Sequence, residues 1–249
     1  ITRLLAVFKD ASEVGQIGTI RSARIDYAKI ANAYDLLYFH VGEDKKYCKP
    51  YRQSVGMDDI DLGSNNFGFR EKNGLASEHT YYAKGDALLA GAEKLNKRME
   101  TTMVTPWFHF CEEGANQPPA GGEVCSVLKV KFSGNNSDAF HYNEETGLYE
   151  RWIYGHAQED YKTDEITAVK NVFVFGTEVG LKKDKKHVAI SLKGGDGYYA
   201  SEGQIIPILW KTDKDGRFVV TTADGEPLTV NVGSSYICLN QDVFEPTWE

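Results

Sequence analysis

The chain has 249 residues, 41% hydrophobic and 26% charged with only 7 prolines, which suits one or two folded domains and excludes a disordered or fibrous chain. A formal net charge of -8 argues against a general phosphate-backbone binder, so nucleic acid is not an expected partner, although a local basic site stays open. No apolar run approaches the roughly 18 residues that cross a bilayer, and the chain opens on Ile1 without an initiator Met or signal sequence, as a mature or trimmed fragment would.

Residues 4–8 read as a strand. A loop bearing Gly15 and Gly18 follows, and then Ile20, Ala23, Tyr27, Ile30, Ala31 and Tyr34 recur at helical spacing, which predicts a helix over residues 20–34. Arg21 and Arg24 fall in its first turn, where the helix already carries about half a positive charge. A counter-anion is therefore expected: an internal carboxylate from Asp26, Asp35 or the acidic segment 58–61, or a bound anion. Residues 36–41 read as a buried strand that completes a β-α-β signature, with two parallel strands and a right-handed crossover. A short acidic stretch, 54–62, and a loop, 63–68, lead to a second helix over 80–97, with Leu88, Leu89, Ala92 and Leu95 as its apolar stripe.

After Pro106 the helical pattern stops. Strands are predicted at 124–132, 139–142, 149–154, 168–175, 188–192, 198–200, 204–209, 218–221, 228–230 and 236–239, with tight turns at 145–147, 213–216 and 223–225. The fold class is thus α+β: an N-terminal α/β domain with a β-α-β core over residues 1–105, then a β-rich domain over 106–249. Tyr142, Trp152, Tyr154, Tyr198, Tyr199 and Trp210 are expected to fill the core rather than to stack on sugars.

Cys48, Cys111, Cys125 and Cys238 lack metal-ligand spacing, so no metal is expected. Buried free thiols are favoured over a disulfide closing the loop between Cys111 and Cys125. The Gly15-to-Gly18 loop could present backbone N–H groups and two guanidiniums to an anion, but it matches no nucleotide-binding motif, and no cofactor is expected. His40 ends a buried strand, where ligand crevices of open sheets lie, and His79 precedes the second helix beside Glu78. Arg21, Ser22, Arg24, His40, Arg70 and His79 all sit at element ends of the first region and form the candidate binding set. Ser22 itself reads as a helix-start residue, and residues 213–216 read as a hairpin rather than a calcium loop.

Residues 1–8 (Ile-Thr-Arg-Leu-Leu-Ala-Val-Phe), the run from Gly18 to Arg24, Tyr34-Asp35, His40-Val41-Gly42 and Phe69-Arg70 with His79 together resemble the YerB-like bacterial lipoproteins, a family of unknown function. Residues 171–174, 195–199, 208–211, 224–225 and 232–237 resemble that family's C-terminal domain. The resemblance covers nearly the whole chain. It implies an exported, lipid-anchored, two-domain protein whose full-length form carries a signal peptide, a lipid-modified cysteine and a further part of the first domain before Ile1; membrane attachment is expected only through that anchor.

Three readings follow. The first is an extracytoplasmic protein binding an anionic cell-envelope ligand, or a protein partner, through the arginines. The second is a hydrolase acting on an anionic substrate with His40 or His79 as general base, and the third is a structural or interaction protein whose arginines hold its core together.

Overall fold

The computed structural model describes residues 3–101, 106–242 and 244–249. Ile1 and Thr2 of the family-like opening, and Thr105 at the expected domain boundary, lie outside the described residues. Two compact units divide the chain, Ile1–Thr105 and Pro106–Glu249, and each has its own core.

In the first unit the elements run β1 (Gln16–Gly18), α1 (Ile25–Ala33), β2 (Tyr38–His40), α2 (Cys48–Val55), β3 (Asp59–Asp61), α3 (Leu62–Asn65), β4 (Phe69–Arg70), β5 (Tyr81–Lys84) and α4 (Gly85–Lys94). The first helix starts at Ile25, five residues later than the spacing predicts, because the backbone before it already has partners. Ile20 N–H donates to Tyr81 O at 2.9 Å, Val41 N–H to Arg21 O at 3.1 Å, and Ala23 N–H to Gly42 O at 3.0 Å. Residues 20–23 are therefore extended, and Ala23 bridges Glu43 in parallel. Arg24 becomes the residue that precedes the first helical turn, and Asp26 supplies the acid that the helix dipole favours there.

Residues 4–8 form no strand; Leu4, Val7 and Phe8 are exposed. The β-α-β unit is built from other elements, since β2 pairs in parallel with β3, His40 opposite Asp61, with α2 between them. The glycine loop does not form either. Gln16–Gly18 lies antiparallel to β5, so these residues are strand rather than a phosphate cradle. β5 also occupies the start of the expected second helix, because Tyr81–Lys84 pairs with both β1 and β4 before the chain turns helical at Gly85. Two apolar clusters hold this unit: Ala28, Ala31, Tyr38, Cys48 and Met57 between α1, β2 and α2, and Ile60, Leu62, Tyr81, Ala83, Leu88 and Ala92 around β3, β5 and α4.

The second unit contains two six-stranded sheets. One runs His156–Ala157, Leu148–Ile153, Asn136–Asn143, Val127–Ser133, Thr247–Trp248, with Ala168–Val169 beside Leu148–Ile153. The other runs Phe218–Thr222, Gln204–Thr212, Gly194–Ser201, Asn171–Thr177, Ser235–Gln241, with Glu123–Val124 beside Gln204–Thr212. All ten predicted segments contain strand; His109–Phe110, His156–Ala157, Val179–Leu181 and Thr247–Trp248 are further short strands.

Side chains alternate along Asn171–Thr177. Val172 and Val174 join Leu128, Val130, Phe140, Tyr149 and Ile205 in a core drawn from both sheets. Phe173 and Phe175 point the other way and stack on Tyr199 (4.9 Å between ring centroids) and Trp210 (4.7 Å). Of the six aromatics expected in the core, Tyr199 and Trp210 are buried, Tyr142 and Tyr198 pack half-buried against it, Trp152 is half-buried against His141, and Tyr154 is 77% exposed in a turn with φ of 53°. All four cysteines are free; Cys48, Cys125 and Cys238 are buried, whereas Cys111 is partly exposed.

Candidate functional site

The chain turns after β2 at Gly42, whose φ of 69° is left-handed and suits glycine. His40, 1% exposed, fastens this turn: its Nδ1 lies 2.8 Å from Gly42 O and its Nε2 lies 2.9 Å from Asp59 Oδ2. Gly42 O can only accept, so Nδ1 donates to it, and Nε2 faces the Asp59 carboxylate; both ring nitrogens are thus engaged within the fold. Asp59 also pairs with Arg52, whose Nε and Nη2 reach Glu43 Oε2 at 2.9 and 2.8 Å. Burial alone would raise the Asp59 pKa, but hydrogen bonding and charge from His40 and Arg52 reverse this and hold it below the ordinary carboxylate range. Asp61 Oδ1 accepts Gly42 N–H at 3.0 Å. Gly42 is thus held through both backbone groups, and its carbonyl also receives Ala23 N–H, which fixes the segment that carries the arginines.

The guanidiniums of that segment find few anions. Arg24 Nη1 donates to Ser22 O at 3.2 Å and Ala23 O at 2.9 Å, both backbone carbonyls. Arg21 Nη1 lies 3.1 Å from His79 Nδ1; a guanidinium only donates, so this nitrogen accepts. Among the described residues Arg21 has a carboxylate within ion-pair reach at Glu78, at 3.8 Å and 60% exposed, a weak, solvent-screened pair. The acids expected as internal partners are engaged elsewhere: Asp35 and Asp58 by Arg98, Asp59 by His40 and Arg52, and Asp61 by backbone N–H groups and Ser64. Asp26 is buried in the first turn of α1.

Arg3 completes the cluster and is absent from the set expected from sequence. Burial first, then the like charges of Arg24 and Arg21, lower its pKa from the ordinary guanidinium value. Its Nη1 is buried without a hydrogen-bond partner. Tyr27 and Tyr38 stand beside it; burial pushes the Tyr27 hydroxyl up to about 12, and that hydroxyl donates to Arg3 O. No local pattern marks Arg3, because its neighbours in space come from residues 21–38.

Arg70 is exposed on β4, where Nη1 donates to Ser77 O and to Thr80 Oγ1 at 2.9 Å and the guanidinium lies 5.4 Å over the Tyr81 ring. It therefore braces the 77–80 turn, and that turn presents His79 to Arg21. Ser22 is partly buried and extended, not a helix-start residue. Among the described contacts it makes no hydrogen bond to His40 or His79. The structure therefore brings together Arg21, Arg24 and His79, with Arg70 behind them and His40 in the frame beneath. An open depression lined by Asn66, Phe67, Gly68, Phe69, Lys84, Ala87 and Ala90 includes none of these residues.

Residues 1–98 and 128–237 match the N-terminal and C-terminal domains of a family described as a protein of unknown function, DUF3048. The chain is 24% identical over 250 residues to the Bacillus subtilis (strain 168) protein named "Putative lipoprotein YerB", a match that covers 98% of this chain and 72% of the relative. The crystal structure of YerB from Bacillus subtilis has the same fold, with a TM-score of 0.78 at 22% identity over 94% of this chain and 78% of that one. Among the described residues no helix is long and apolar enough to cross a membrane.

Proposed function

We propose that this chain, which belongs to the DUF3048 family in both of its domains, binds an anionic cell-envelope ligand through Arg3, Arg21 and Arg24. The observation that carries this reading is the buried, unpartnered Nη1 of Arg3 beside two further guanidiniums. A buried donor without an acceptor costs about 1–3 kcal/mol, more when charged, and the like charges add to that cost. An oxyanion would relieve both, because guanidiniums present paired donors that match carboxylate and phosphate oxygens. His79 and Arg70 are positioning residues that hold Arg21, and the His40–Asp59–Gly42 frame holds the backbone between Arg21 and Arg24. An extracytoplasmic, lipid-anchored full-length protein is supported by the name of the Bacillus subtilis relative.

Calorimetric titration with inorganic phosphate and with glycerol 3-phosphate tests the site. Saturable binding that weakens with salt and is lost in an Arg21→Ala, Arg24→Ala variant is the expected result. Equal binding by variant and wild type sinks the proposal.

A further inference from the structure

Val179–Leu181 and Val188–Ile190 pair as a two-stranded hairpin outside both large sheets, with a tip that reads Lys-Lys-Asp-Lys-Lys-His over residues 182–187. The tip carries four lysines and one acid on a chain whose formal net charge is -8. That acid is turned inward. Asp184 Oδ1 accepts the N–H groups of Lys186 and His187, both at 3.1 Å, and Oδ2 lies 2.7 Å from His187 Nδ1. Asp184 thereby fastens the turn, while Lys183, Lys185 and Lys186 face solvent. Immediately behind them Leu181 and Val188, which are cross-strand partners, are 61% and 50% exposed.

We infer that this hairpin docks the C-terminal unit on the surface of an anionic lipid bilayer. Lys183, Lys185 and Lys186 meet the headgroups, and the Leu181–Val188 pair enters the interfacial layer. Charge complementarity selects an anionic partner, and the exposed apolar pair selects a bilayer over a soluble polyanion, which would leave both side chains in water. Each lysine near an anionic surface strengthens binding about fivefold, so three together account for on the order of 100-fold. This attachment is separate from the lipid anchor and uses no residue of the arginine cluster.

Sedimentation with vesicles of phosphatidylcholine alone, and of phosphatidylcholine mixed with phosphatidylglycerol, tests the inference on the chain as it stands. The wild type is expected to bind only the mixed vesicles. A Lys183→Gln, Lys185→Gln, Lys186→Gln variant should lose on the order of 100-fold. Leu181→Ser, Val188→Ser should also weaken vesicle binding while leaving any binding to soluble polyglutamate unchanged. All five side chains are exposed, so an unchanged thermal midpoint confirms folding. Indifference of the wild type to phosphatidylglycerol overturns the inference, as does wild-type vesicle binding by either variant. An Arg21→Ala, Arg24→Ala variant should bind vesicles normally, which keeps this test distinct from that of the anion site.

Discussion

Asp59→Ala probes the frame beneath the arginines. The substitution removes the partner of His40 Nε2, at 2.9 Å, and the ion-pair partner of Arg52. His40 is 1% exposed, so it has no access to replacement water. Breaking a buried charged pair by removing one partner costs about 3–5 kcal/mol, a large share of the roughly 5–15 kcal/mol that holds a domain folded. With a urea dependence of about 1–3 kcal/mol per molar for a small unit, the midpoint should fall by about 2 M. Far-UV circular dichroism follows both units, whereas the four tryptophans all lie beyond Pro106 and their fluorescence follows only the second. The circular-dichroism transition should therefore move and separate from the fluorescence transition. The folded pKa of Asp59 is depressed, so its contribution is complete above the ordinary carboxylate range, near pH 4, and is lost as pH falls through the lower folded value. Wild type and variant should converge in acid. A neutral-pH shift below about 0.5 M, equivalent to roughly 1 kcal/mol or less, would refute the reasoning.

Two further outcomes are expected. Burial raises the Cys48 and Cys125 thiols to about 11, and Cys238 is 1% exposed, so Ellman's reagent should titrate one thiol, Cys111, in the native chain and four after denaturation; two or more fast native thiols would contradict the described cores. Gly42→Ala should lower stability by about 1–2 kcal/mol through its left-handed φ, since the added Cβ would meet Ser22 Oγ only at 3.7 Å, and Gly42→Asn should cost less. A neutral alanine in urea denaturation would show that the turn is not held.

The second unit is more legible in sequence than the first because its signals are local. Leu148–Ile153 alternates inward and outward side chains, and the turns at 145–147 and 213–216 sit beside the strands they join. In the first unit tertiary pairing overrides spacing. Ile20 and Ala23 are inward at helical spacing, yet they belong to an extended segment tied to Tyr81 and Gly42, partners about 60 and 19 residues away. The same holds at Tyr81–Lys84, where two flanking strands take residues that read as helix. Residues 4–8 show the converse: apolar side chains suggest a strand, but no neighbouring strand pairs with them. Arg21 and Arg24 stood out through their charge, and the question they posed about a counter-anion survives the change from helix to extended chain. Arg3 was invisible because only long-range folding sets it beside them.

The most direct measurement compares thermal unfolding of the wild type and Arg3→Met with and without inorganic phosphate, at matched ionic strength. Methionine keeps an apolar stem and removes the buried, unpartnered Nη1, so the variant should be at least as stable as the wild type in phosphate-free buffer. Phosphate at about 100 times its dissociation constant should stabilise the wild type by roughly 2.7 kcal/mol and leave the variant unmoved. A variant less stable throughout, with a phosphate response equal to that of the wild type, would contradict the account and assign Arg3 to the fold alone.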